Sequence, residues 1–229
     1  MNGQETRSCI AQLIDATKIF NANGAATFAM RGISLQALPG ELILLLGPSG
    51  SGKTTLLTMI AGLIKPTSGA ASLFGRDIER YSARELQRLR ATRIGFVFQT
   101  FHLIDSLTVV ENVALVLRFA GRTNPEAQER ARTLLQRFHI EHLAKKFPPT
   151  LSQGEKQRAA VARATANDAD LIIADEPTAS LETKQGLDII QLLHEYAKKQ
   201  NTCVIVASHD LRIVEFADRV LRLEDGLLA

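Results

Sequence analysis

The chain has 229 residues, room for one globular domain or a core with an attached subdomain. Hydrophobic residues make up 45% and charged residues 22%, and no apolar run approaches the roughly twenty residues of a membrane-spanning helix. A net charge of +3 without a dense basic stripe gives no reason to expect a nucleic-acid partner.

The opening MNGQETRSCI has no apolar core that would serve as a secretion signal, so the chain is expected to stay in the cytoplasm. Cys9 and Cys203 are too few for a disulfide framework, and Cys203 sits in an apolar run as buried filler. The first third reads as strands. Leu42–Leu46, closed by Gly47, reads as a buried strand of a mostly parallel sheet. A helix is predicted from about Lys53, with Leu56, Leu57, Ile60 and Ala61 inward and Gly62 near its end. Another strand is read at Ile94–Phe98. The middle reads as helices. Thr108 and Glu111 stand at capping-box spacing, Asn124-Pro125 offers a cap with a first-turn proline, and a further helix runs from Ser152 into Ala159–Ala166. The last part alternates again: strand Leu171–Ala174, helix Leu187–Ala197, strand Thr202–Ala207. The order sheet, helical insert, sheet predicts one α/β domain over 1–229, with a core of about 10–100 and 167–229 and a helical subdomain of about 101–166.

The strongest local signal is Gly47-Pro48-Ser49-Gly50-Ser51-Gly52-Lys53-Thr54, between a predicted strand and a predicted helix. Its glycines let the backbone curl so that N–H groups point at phosphate oxygens, and the following helix aims its positive end at the same anion. Lys53 adds a full charge near the β- and γ-phosphates, and Thr54 offers a hydroxyl to Mg²⁺. With Thr55, these residues form the candidate phosphate-binding set.

Leu171–Glu176 is an apolar strand ending in two carboxylates, at the edge where open α/β sheets bind ligands. Asp175 is read as an Mg²⁺ ligand and Glu176 as the residue that orients and polarises an attacking water. Alone, such a pair reads equally well as a solvated loop; beside a phosphate loop the functional reading prevails. His209, after the last strand, can hydrogen-bond a γ-phosphate. Gln99 can offer its amide oxygen to the metal, although a polar residue at a strand edge fits the same pattern.

Together these segments resemble the nucleotide-binding subunits of ABC transporters, from about Leu13 to Gly226. The specific element is Leu151-Ser152-Gln153-Gly154-Glu155-Lys156-Gln157-Arg158, which resembles the LSGGQ signature. Gln153 replaces a glycine and Glu155 a glutamine, while Ser152 and Gly154 remain. Ser152 and Glu155 also have the S-x-x-E spacing of a helix cap, which is compatible with phosphate binding. The resemblance implies a P-loop NTPase (RecA-like) core with an antiparallel N-terminal β part and an inserted helical subdomain. It also implies ATP and Mg²⁺ as ligands. Glu176 is then the catalytic glutamate and His209 the switch histidine. Phe20 becomes the aromatic residue stacked on adenine, with apolar packing as its plainer reading. Ala179–Glu182 resembles the D-loop, with Glu182 where Asp is usual.

The resemblance further implies that Ser152 and Gly154 meet a nucleotide held by another copy, or by a homologous ATPase subunit, paired head to tail. With no span of its own, the chain is expected to drive a separate transmembrane permease from the inner face of the membrane. Thr100–Asp105 lies where the family receives its permease, and Phe101 and Leu103 serve either that contact or core packing. The stretch RIGFVFQTFHLIDSLTVVENV resembles the macrolide-efflux and lipoprotein-releasing branch, which implies a permease with an extracytoplasmic domain. The alternative is a cell-division cassette that regulates a membrane partner without moving cargo. A translation or repair ATPase would carry two cassettes or a coiled-coil insert, and a small-molecule kinase would leave Leu151–Arg158 unexplained. No regulatory domain is expected after Gly226.

Overall fold

The computed structural model describes residues 9–22 and 25–229. The first eight residues, with the opening segment read above, lie outside the described residues. Two long strands come first, β1 (Ala11–Ala22) and β2 (Ala25–Ala37), then β3 (Leu42–Leu46) and α1 (Lys53–Ile60). Short β4 (Ser68–Leu73) and β5 (Arg76–Asp77) precede α2 (Ala83–Arg93) and β6 (Ile94–Val97). Three helices follow, α3 (Val109–Phe119), α4 (Asn124–Arg137) and α5 (Gln153–Ala164). The chain then returns through β7 (Leu171–Asp175), α6 (Thr183–Gln200), β8 (Cys203–Ser208), β9 (Arg219–Glu224) and β10 (Leu227–Leu228).

The six-stranded sheet has the order β10-β9-β3-β8-β7-β6 and is parallel except where β10 meets β9. An antiparallel sheet, β2-β1-β4-β5, stands beside it. The central strands β3, β7 and β8 are apolar up to their last residues, Asp175 and Ser208 being the polar ends of β7 and β8, because both faces are covered. Leu42, Leu44, Leu46, Ile172, Ala174, Val204 and Val206 join the core shared with α3, α4, α5 and α6. Ile43, Leu45, Leu171, Ile173, Cys203 and Ile205 join the core shared with α1 and the antiparallel sheet. This period-two division fixes the strand register, since a one-residue slip would exchange the two cores. Cys203 is fully buried, and desolvation pushes its thiol far above the usual range. Among the described residues no helix is long and apolar enough to cross a membrane.

Local chemistry accounts for the ends of the elements. Gly62 follows the C-cap of α1 at φ +63°, a left-handed conformation that glycine adopts without strain. Four helices begin with a Ser or Thr whose partner glutamate lies three residues on: Ser82/Glu85, Thr108/Glu111, Thr123/Glu126 and Ser152/Glu155. The structure adds one α-helix and corrects two expectations. Helix α2 lies between the predicted helix at Lys53 and the predicted strand at Ile94, in a stretch that the sequence leaves unassigned because it is rich in charge and buries Leu86 alone among its residues. The cap of α4 is Thr123, not Asn124, because Thr123 N–H and Oγ1 both donate to Glu126 at 2.9 and 2.7 Å. Helix α6 starts at Thr183, four residues before its first large apolar residue, Leu187.

Hydrogen bonds from the capping residues hold all four glutamates below the ordinary value of 4.5, Glu85 at about 2. A depressed folded-state value means the stabilisation is complete above about 4.5 and is lost as pH falls through the lowered values. The urea midpoint should therefore decline across that acidic window, and a variant with all four glutamates changed to glutamine should show a shallower decline.

Close packing sets one sharp constraint. A Cβ on Gly95 of β6 would stand 2.1 Å from the Ala164 carbonyl oxygen at the end of α5. Gly95→Ala should lower stability by about 1–3 kcal/mol, the usual range for overpacking, read as a lower urea midpoint.

Candidate active site

The loop after β3 turns because glycine occupies its two tightest points. A Cβ on Gly47 would lie 2.3 Å from the Leu223 carbonyl oxygen and 2.7 Å from Ser51 Oγ. Gly52, the N-cap of α1 at φ +103°, would carry a Cβ 2.2 Å from Met30 Cε. Lys53 is 7% exposed, and its ammonium donates to the carbonyls of Gly47 and Pro48 at 2.7 and 3.0 Å. The loop thus holds its own cation inside the curl, while Pro48, Ser49 and Gly50 remain exposed. Ser51 Oγ is buried without a partner, an open valence in the same cradle.

The parallel sheet brings a second set of groups to this edge. β7 lies beside β8, which lies beside β3, so the C-terminal ends of all three meet. Thr54 Oγ1 donates to Asp175 Oδ2 at 2.8 Å. Lys53 Nζ stands 3.6 Å from Glu176 Oε1. His209 Nδ1 lies 3.2 Å from Glu176 Oε1 in hydrogen-bonding geometry, which requires the proton on Nδ1 because a carboxylate only accepts. Glu176 Oε2 is buried and lies 3.1 Å from the same nitrogen, without a hydrogen bond of its own. Glu176 itself sits at φ +48°, left-handed for a non-glycine residue, with its N–H donated to Ala207 O at 2.9 Å. A constrained backbone that aims a half-paired carboxylate beside a lysine belongs to functional sites more often than to scaffolding.

The structure therefore gathers Lys53, Thr54, Asp175, Glu176 and His209, with Thr55 in the first turn of α1. Phe20 stands apart near the end of β1, 43% exposed, with the Lys18 ammonium 5.3 Å from its ring centroid. Gln99 does not end a strand: β6 stops at Val97, and Gln99 lies exposed in the turn beyond, its carbonyl accepting from Ser180 Oγ at 3.4 Å. Ser152 and Gly154 begin α5. Glu155 Oε2 accepts from Ser152 N–H at 2.7 Å and from Ser152 Oγ at 2.9 Å, and these bonds hold the Glu155 carboxyl below its usual range. Among the described residues no hydrogen bond or ion pair joins 151–158 to 47–55.

Two supporting residues escape the sequence reading. Arg163 donates to the carbonyls of Phe101 and His102, fixing a turn in which both have positive φ. Asn112, buried in α3, accepts from Ile104 N–H and donates to Ile104 O, Leu107 O and Thr108 O. Their partners are backbone atoms of a turn, which no side-chain pattern announces. Beside this turn opens a groove of about 800 Å³ between α2, β6, α3 and the end of α5, lined by Phe96, Phe98, His102, Ile104 and Phe119. Leu103 packs instead on the helical core.

The family profile for ABC transporters matches residues 30–179, most of the chain. The chain belongs to the ABC transporter ATP-binding family. The resemblance carried by the phosphate loop and Leu151–Arg158 is borne out, as is the predicted fold. The cassette is 37% identical over 211 residues to the lipoprotein-releasing system ATP-binding protein LolD 2 of Caulobacter vibrioides, covering 92% of each chain. It is 39% identical over 220 residues to HrtA of Staphylococcus haemolyticus, named for hemin import, covering 94% of this chain and 97% of that one. Among solved structures, the ATP-binding cassette MJ0796, a dimer in a post-hydrolysis state bound to ADP and Pi, has a TM-score of 0.88. It is 36% identical, with coverage of 95% of this chain and 96% of that one. The cassette is thus an ATP-binding, ATP-hydrolysing subunit of a transporter.

Proposed function

We propose that the cassette hydrolyses MgATP at sites built from two chains and drives a separate permease of the lipoprotein-releasing and macrolide-efflux type. The observation that carries the chemistry is the Glu176 carboxylate, held between Lys53 and His209 at the end of β7 and beside the Thr54–Asp175 pair. The loop at 47–54 cradles the β- and γ-phosphates, with Lys53 and the first N–H groups of α1 stabilising charge as water attacks in line. Glu176 orients that water, and His209 reads the γ-phosphate. Thr55 continues the phosphate cradle, and Phe20 stacks on adenine.

The donors fit a metal that keeps its own water. Among the described residues no three His, Cys, Asp or Glu side chains gather to hold an ion. Thr54 and Asp175 offer two oxygens, suited to Mg²⁺ that takes its remaining ligands from phosphate and solvent, with Gln99 as a further donor. When bound, Mg²⁺ neutralises phosphate charge.

Ser152 and Gly154 cap the γ-phosphate of the partner's nucleotide. In support, they open a capped helix that makes no polar bond to the phosphate loop of its own chain, and MJ0796 was solved as a dimer. The groove lined by Phe98, His102 and Ile104 receives an apolar segment of the permease, so that the cassette works at the cytoplasmic face of the membrane. LolD 2 and HrtA are similarly close to this chain and are named for different cargo, so the branch reading rests on LolD 2 together with the stretch from Arg93 to Val113. Gentle purification from detergent-solubilised membranes tests it. Recovery with a permease bearing a large extracytoplasmic domain supports the branch; recovery with ribosomes, DNA or a permease lacking that domain contradicts it.

A further inference from the structure

Gln157 lies one turn inside α5 and is completely buried. Its Nε2 donates to the Pro177 carbonyl at 2.6 Å. A carbonyl only accepts, so this contact fixes which end of the amide faces Pro177. Its Oε1 has no partner, so burial of this amide is not repaid in full by hydrogen bonding. An apolar residue of similar length would fill the same space without that loss.

Pro177 directly follows Glu176. The left-handed Glu176 is anchored on one side by its N–H to Ala207 O at 2.9 Å and on the other by Ala179 N–H to Glu176 O at 3.2 Å. The Glu176–Pro177 peptide has no N–H of its own to tie down. The Gln157 bond supplies that missing anchor, at the residue next to the strained one. The surrounding contacts are equally close: a Cβ on Gly154 would stand 2.8 Å from Gln185 Oε1, and one on Gly186 3.2 Å from Thr178 Cβ.

We infer that Gln157 is a positioning residue that holds Glu176 in its working backbone conformation. It acts through Pro177 and touches no nucleotide. This rests on the proposed role of Glu176 with water. It also means that the helix opened by Ser152 is bolted to the hydrolytic glutamate of the same chain.

The test compares Gln157→Met alone and in a Glu176→Gln background. Alone, it should lower kcat about 10- to 100-fold, the loss expected from a small misplacement of a reacting group, with KM within twofold. In the Glu176→Gln background it should change neither residual hydrolysis nor ATP-driven dimer formation. Gln157→Asn, which keeps the amide but withdraws it by one methylene, should give the same split if the Met variant does not fold. Unchanged kcat overturns the inference. So does weakened ATP-driven dimerisation in the double variant, which would make Gln157 a support for Ser152 instead. If Glu176→Gln by itself fails to dimerise with ATP, the two-chain site falls, while the kcat comparison still judges Gln157.

Discussion

Replacing Glu176 by glutamine should lower ATP hydrolysis by about 10²–10⁴-fold while ATP binding stays within a few fold, the range expected when a positioned acid–base group is lost. Glutamine keeps the shape and the hydrogen bond to His209 but removes the charge that draws a proton from the attacking water. The loop that binds phosphate is untouched, because its internal bonds run from Lys53 to Gly47 and Pro48 and not through Glu176. Single-turnover hydrolysis and equilibrium binding of a fluorescent ATP analogue separate the two effects. Weak binding with a near-normal rate constant would reverse the assignment.

Lys53→Ala should do the opposite and weaken ATP binding about 10- to 100-fold. Hydrogen bonds to charged groups contribute roughly 1.5–3 kcal/mol, and each 1.4 kcal/mol is about tenfold in affinity. Two consequences add to the lost contact. The carbonyls of Gly47 and Pro48 lose the donor that organises the curl. The largely buried Glu176 carboxylate loses its neighbouring cation. Titration calorimetry with ATP gives the affinity directly, and an affinity within twofold of the parent would remove Lys53 from the phosphate site.

The readable parts of this protein are those whose information is local. The phosphate loop declares itself in eight consecutive residues because backbone curvature, charge and hydroxyl must all come from one short segment. The carboxylate pair is visible because it ends an apolar strand, and the doubly covered sheet is visible because its central strands β3, β7 and β8 are apolar up to their ends. Elements held by distant partners are not visible. Gln157 finds its carbonyl twenty residues downstream, and Arg163 finds its two more than sixty residues upstream. In the sequence Gln157 reads only as one letter of the signature segment, and Arg163 as an ordinary polar position on an alanine-rich helix. Helix α2 carries a capping box, yet its charge hides it from a search for apolar periodicity. The first turn of α6 has no apolar residue and relies on Gly186 packing against Thr178, which appears only in three dimensions.

The central claim is that one triphosphate lies between two copies, and a cross-link measures it most directly. Ser49 and Gln153 are both exposed, and among the described residues neither side chain hydrogen-bonds to another. In a Cys9→Ser, Glu176→Gln background, copies carrying Ser49→Cys are mixed with copies carrying Gln153→Cys and treated with a short bifunctional thiol reagent. The account predicts a mixed-pair product that rises sharply with MgATP and is absent without nucleotide. Copies that bind ATP but give no more of that product than nucleotide-free controls would contradict it.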